Sequence, residues 1–157
     1  KLIEYSKSQE IGIVVENHGG ITGDADWLVG LMENINDSHV GTLPDFGSYN
    51  FCIKRGDLNL EDIESDCENQ YDKYIGVQKL LPYAKGVSAK SHEFKLNGEE
   101  KSTDYKKMMQ IISNSAYEGF ITIEYEGAVM NMFGSKGNYL DTHEGVEATR
   151  KLISKYL

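Results

Sequence analysis

Gly12-Ile13-Val14-Val15-Glu16-Asn17-His18-Gly19-Gly20 is the stretch from which the architecture of this chain is read. A short apolar run ends abruptly in a carboxylate, an amide, an imidazole and two glycines, as a buried strand does where it meets a turn. Phe120-Ile121-Thr122-Ile123-Glu124-Tyr125-Glu126-Gly127 repeats the plan near the other end. Both stretches deliver a glutamate to the C-terminal tip of a strand. Parallel α/β proteins build their sites at that tip.

The intervening sequence supplies two more strands and the helices between them. His39 to Leu43 reads as the second strand, broken by Pro44 and followed by Asp45-Phe46-Gly47-Ser48. Lys85 to Ala89 reads as the third, leading into Lys90-Ser91-His92-Glu93, and Gly119 to Ile123 as the fourth. Asp24 is a natural N-cap for a helix carrying Trp27, Leu28, Leu31, Met32 and Ile35 on one face, with Trp27 packing beneath it. Tyr71, Tyr74, Ile75 and Leu81 mark a helix that Pro82 closes. Thr103 or Asp104 caps a third stripe of Tyr105, Met108, Met109, Ile112 and Ala116, and Asn97-Gly98 makes a turn. Asp141 with Glu144 three residues on resembles a capping box opening a last helix through Val146, Thr149, Ile153 and Tyr156.

Strand and helix thus alternate four times with no hairpin signal, which calls for parallel strands with right-handed crossovers. The strands read as apolar on both faces, yet one layer of helices leaves a face and both edges of such a sheet open. Either a small doubly wound sheet or half of a (β/α)8 barrel would meet the pattern. Leu2 to Ser8, read as the last turns of a helix, favours the barrel. The expected fold is therefore α/β, with parallel (β/α) units forming strands five to eight of a TIM barrel, in one domain over residues 1–157.

The 157 residues suffice for one domain with a core, and 39% hydrophobic with 26% charged residues is a globular composition. A formal charge of -9 argues against a nucleic-acid partner, and no apolar run is long enough for a membrane span. Cys52 and Cys67 could bridge in an oxidising compartment or remain free thiols; the expected location is cytoplasmic. The polar stretch from Tyr49 to Gln70 reads as a functional lid or insertion, and its acidic run from Asp57 to Glu68 as solvated loop. An exposed sheet predicts a homo-oligomer, or association with the other half of a barrel.

Alternation along a strand lets Glu16 and His18 point one way, as it does Glu124 and Glu126, and Ser88, Lys90 and His92. Asp45 closes the second strand. An oxygen-rich set of this kind suits Mg, Mn or a similar divalent ion, and imidazole widens the choice to Co or Zn. Phe46, Tyr49 and Phe51 either line a sugar pocket or form a loop cluster. Lys90, at a buried strand tip, needs carboxylate or substrate partners. His39 and His143 read as surface or cap residues.

Val15-Glu16-Asn17-His18-Gly19-Gly20, Leu43-Pro44-Asp45-Phe46-Gly47, Gly86-Val87-Ser88-Ala89-Lys90 and Ile121-Thr122-Ile123-Glu124-Tyr125-Glu126-Gly127, in this order, resemble the sugar phosphate isomerase/epimerase family. That family belongs to the xylose isomerase-like TIM barrel superfamily, and the likeness covers its C-terminal half. It implies a sugar or sugar phosphate isomerase or epimerase, with Glu16 and Glu124 as acid and base. It further implies a divalent ion (Mn, Mg, Co or Zn) on Glu16, Asp45 and Glu124. The carbohydrate substrate would be held by His18, Lys90, Asn50 and Glu126. Two positions depart from the pattern, Ser88 standing for a strand-seven histidine and Ser48 for the histidine three residues after the aspartate. His92 is then the candidate imidazole ligand, with His18 or water as substitutes. A degenerate, non-catalytic sugar-binding barrel is the alternative reading. An apurinic-site endonuclease-like hydrolase is a third, opposed by the lack of a basic groove and of a histidine-rich set.

Overall fold

The computed structural model describes residues 1–56 and 67–157. Helix α1 (Leu2–Ser8) leads into strand β1 (Ile13–Glu16), and Gly19 and Gly20, at φ of 73° and 59°, then turn the chain away from the strand tip. Asp24 caps helix α2 (Ala25–Ile35) through the N–H groups of Asp26 and Trp27. Strand β2 (Val40–Leu43) follows and lies parallel to β1, with Val15 beside Thr42. Strands β3 (Cys52–Arg55) and β4 (Cys67–Gln70) form an antiparallel hairpin, closed by a Cys52–Cys67 disulfide. Asp72 caps α3 (Lys73–Leu80), after which Pro82 sits in a single 3-10 turn. Strand β5 (Val87–Ser91), helix α4 (Tyr105–Ser113, capped by Asp104) and strand β6 (Ile121–Tyr125) complete the second parallel pair, with Lys90 beside Glu124. A short α5 (Gly127–Met132) and the long α6 (Thr142–Tyr156), capped by Asp141, end the chain.

This corrects the expected fold. The described residues hold six short strands in three two-stranded sheets, two parallel and one antiparallel, and not the four-stranded parallel half of a TIM barrel. Pro44, directly after β2, has no N–H to give to a ladder. Between β2 and β5 there remain two single bridges, Thr42 to Ala84 and Asp45 to Ser88. The absence of a hairpin is corrected as well, because the polar stretch after Tyr49 pairs with itself around the disulfide and so answers the open question about the two cysteines. Glu68 belongs to that hairpin and pairs with Lys54 at 2.5 Å; the acidic residues 57–66 lie outside the described residues.

One apolar core joins the elements. Leu28 and Met32 of α2, Val77 and Leu80 of α3, Tyr105, Met108, Met109 and Ile112 of α4, and Leu152 of α6 bury against Val40, Val87 and Ala89 of the strands. Phe46 and Phe51 are wholly buried in the same cluster, so they are core and not the wall of a sugar pocket. Trp27, expected to pack, is 40% exposed, since the buried stripe of α2 runs through Leu28 and Met32. The strands are also less two-sided than expected. Ile13 and Val15 pack on the core, whereas Val14 between them is 49% exposed. Among the described residues no helix is long and apolar enough to cross a membrane.

Candidate metal centre

The C-terminal tips of β1, β2, β5 and β6 meet, and their side chains form one polar cluster. Asn17, buried beside Glu16, is the tie between the first two. Its Oδ1 accepts the Asp45 N–H at 2.8 Å and its Nδ2 donates to the Asp45 carbonyl at 3.2 Å. This reciprocal pairing sets Asp45 next to Glu16 although β2 ends at Leu43. Asp45 is wholly buried; its Oδ1 accepts the Gly47 N–H at 2.7 Å, and its Oδ2 has no hydrogen-bond partner.

Glu124 arrives on β6. Its Oε2 accepts the Ser88 hydroxyl at 2.7 Å, and its Oε1 lies 3.1 Å from the Lys90 ammonium. Lys90 is buried and also reaches Glu126 Oε2 at 3.2 Å and Asp45 Oδ2 at 3.8 Å. Its backbone is fixed from the helix side, where the Tyr105 hydroxyl donates to the Lys90 carbonyl at 2.8 Å. Gly47 makes room for this convergence, since a Cβ there would stand 2.9 Å from Lys90 Cδ and 3.0 Å from Asp45 Oδ1.

The electrostatics follow from the crowding of carboxylates. Burial raises the Asp45 carboxyl to about 7, the Lys90 ammonium only partly opposing it. Burial and the neighbouring Glu124 raise Glu16 as well. Burial acts on Glu124 in the same sense, but the Ser88 hydroxyl and Lys90 outweigh it and hold this group below the ordinary value. Glu126 is lowered to about 2, first by its hydrogen bond with His92 and then, against burial, by Lys90. Burial would depress Lys90, yet Asp45, Glu126 and Glu124 raise it above the ordinary value.

Glu16, Asp45 and Glu124 each offer an oxygen within 4.8 Å of the others. Oxygens bound at about 2.1–2.4 Å to one ion can be no more than about 4.2–4.8 Å apart, so the spacing fits a hard divalent cation. Asp45 Oδ2, which accepts no hydrogen bond and has the Lys90 ammonium 3.8 Å away, is an acceptor that such an ion would satisfy. All three donors are carboxylate oxygens, which favours Mg or Mn over Zn or Co.

The remaining candidates fall outside this triad. His92 is not brought to it; its ring Nε2 lies 3.4 Å from Glu126 Oε2, and its backbone N–H donates to the buried Glu100 at 3.2 Å. His18 is exposed, its ring edge-on to Tyr49, over which the Arg55 guanidinium stacks at 3.6 Å. Asn50 is buried near Gly47 and its Nδ2 has no hydrogen-bond partner. Ser48 turns to Lys73, accepting from its ammonium at 2.9 Å. His39 Nε2 contacts the Ile11 carbonyl at 2.5 Å and His143 is exposed, as a cap and a surface residue would be. Sequence reading passed over the roles of Asn17 and Gly47. An amide immediately after a strand-tip glutamate was the one available signal.

The chain matches no model of a known protein family and no curated protein.

Proposed function

We propose that this chain carries a metal-assisted isomerase or epimerase site for a sugar or sugar phosphate, working by proton transfer next to a carbonyl. The observation that carries the reading is the convergence of Glu16, Asp45 and Glu124 around an Asp45 Oδ2 that accepts no hydrogen bond. The likeness of the four strand-tip motifs to the sugar phosphate isomerase/epimerase family supports it from the sequence side. When bound, a divalent ion on these three carboxylates would polarise the substrate carbonyl and stabilise negative charge developing on its oxygen.

The two glutamates divide the work. Glu124, whose Oε2 accepts the Ser88 hydroxyl at 2.7 Å, takes the proton from the carbon beside the carbonyl. Glu16, on the neighbouring strand tip, is the acid that delivers a proton to the enediolate. The test is solvent deuterium wash-in on a panel of ketoses and ketose phosphates with Mn2+ present. Exchange in the wild type that is abolished in Glu124→Gln is expected. Exchange that survives in that variant removes the proposed base.

A second reading, a non-catalytic sugar-binding protein, is favoured by the ion pairs that already engage Glu124 and Glu126 through Lys90. Metal analysis of the purified protein separates the two, retained divalent ion supporting the enzyme. The exposed Val14 at β1 and Phe120 before β6 support a homo-oligomer, which light scattering would read. The Cys52–Cys67 bridge supports an oxidising compartment over the cytoplasm.

A further inference from the structure

We propose that Lys90 is the built-in cation of the carboxylate cluster and exchanges with a divalent ion, leaving Glu124 for Glu126 when the ion binds. This rests on the metal-binding reading above and concerns what the ion must displace.

Both Glu124 oxygens have a donor, Oε2 the Ser88 hydroxyl at 2.7 Å and Oε1 the Lys90 ammonium at 3.1 Å, whereas Asp45 Oδ2 has none. An ion on Glu16, Asp45 and Glu124 would therefore stand beside an ammonium on the same carboxylate. Two positive charges a few ångströms apart repel strongly in a buried site. The lysine has somewhere to go. Glu126 Oε2 is already 3.2 Å from its Nζ, and the four-carbon stem is flexible. His92 Nε2 stands 3.4 Å from the same Glu126 oxygen, so this carboxylate is already anchored where the ammonium would settle. The arrangement lies to one side, Lys90 being 3.8 Å from Asp45 but 3.1 and 3.2 Å from the two glutamates. The stem crosses the bare face of Gly47, where no Cβ blocks the shift. Ion loading is then the exchange of one cation for another at Glu124.

Mn2+ titration by electron paramagnetic resonance, on the whole chain at pH 8, tests this in a double-mutant cycle. Lys90→Met should bind Mn2+ at least about tenfold tighter than the wild type, the competitor having gone. Glu126→Gln should bind several-fold more weakly, because Lys90 has lost its landing place, and this penalty should vanish in the Lys90→Met background. Equal affinity of Lys90→Met and wild type overturns the exchange, as does a Glu126→Gln penalty of the same size in both backgrounds. If Asp45→Asn loses Mn2+ while Lys90→Met is unchanged, the exchange alone has failed. Absence of Mn2+ binding in all variants overturns the metal-binding reading together with it. Should Lys90→Met not fold, Lys90→Gln is read by the same criteria.

Discussion

Replacing Asp45 by asparagine keeps the shape of a buried side chain and removes its ionisation. Oδ1 still accepts the Gly47 N–H, which is bonded at 2.7 Å in the wild type, and the new amide faces carboxylates it can donate to. The carboxyl has its pKa raised from 3.8 to about 7 by burial. A group raised on folding contributes stability that is complete below its unfolded pKa and is lost as pH rises through the folded one. The window here runs from about pH 4 to about pH 7. At about 1.4 kcal/mol for each tenfold, about 4 kcal/mol is lost across it. For a chain of this size that is roughly 10 °C in melting temperature. Thermal melts of both proteins in a chelator, at pH 4 and pH 8, measure the difference directly. Asp45→Asn should gain on the wild type by roughly that amount between the two pH values, and lose its lead when excess Mn2+ stabilises the wild type alone. If the variant melts no higher than the wild type at pH 8 in chelator, Asp45 is not a strained carboxylate waiting for a cation.

Three further outcomes follow from the same geometry. Mn2+ affinity should fall up to about tenfold for each pH unit below about 7, because Asp45 must lose its proton to bind, and a flat profile between pH 6 and pH 8 contradicts this. Asn17→Ala strands the buried Asp45 N–H and C=O and should cost about 2–4 kcal/mol in urea denaturation; a midpoint unmoved from the wild type would show that the clasp holds nothing. Opening the Cys52–Cys67 link, which spans 15 residues, should cost about 3 kcal/mol, read as a matching drop in melting temperature for Cys67→Ser and for the reduced wild type.

The parallel pairs and the caps were legible because they rest on local chemistry. A run such as Ile13-Val14-Val15 announces a strand, and Asp24, Asp104 and Asp141 each cap the helix that follows. Glu16, Asp45 and Glu124 were legible as a group because each lies at or just past the C-terminal end of one of the parallel strands. The way the strands join was not, for it depends on how far a ladder continues past Pro44, which no periodicity records. The hairpin was hidden for a related reason. Cys-Ile-Lys-Arg and Cys-Glu-Asn-Gln have little of the apolar alternation by which strands are recognised, and a covalent bond supplies part of what side-chain burial would otherwise provide. His92 lies just past the end of β5, where alternation no longer gives a direction, and its ring turns to Glu126 and not to the triad.

The amide of Asn17 spends both of its ends on one neighbouring peptide, so no part of it remains to greet a guest. Its service is that of a pin. It holds the Asp45 peptide just beyond the last rung of the β1–β2 ladder, where Glu16 sits beside Leu43. Glutamine at position 17, one carbon longer, would loosen that pin without touching any of the charges of the cluster.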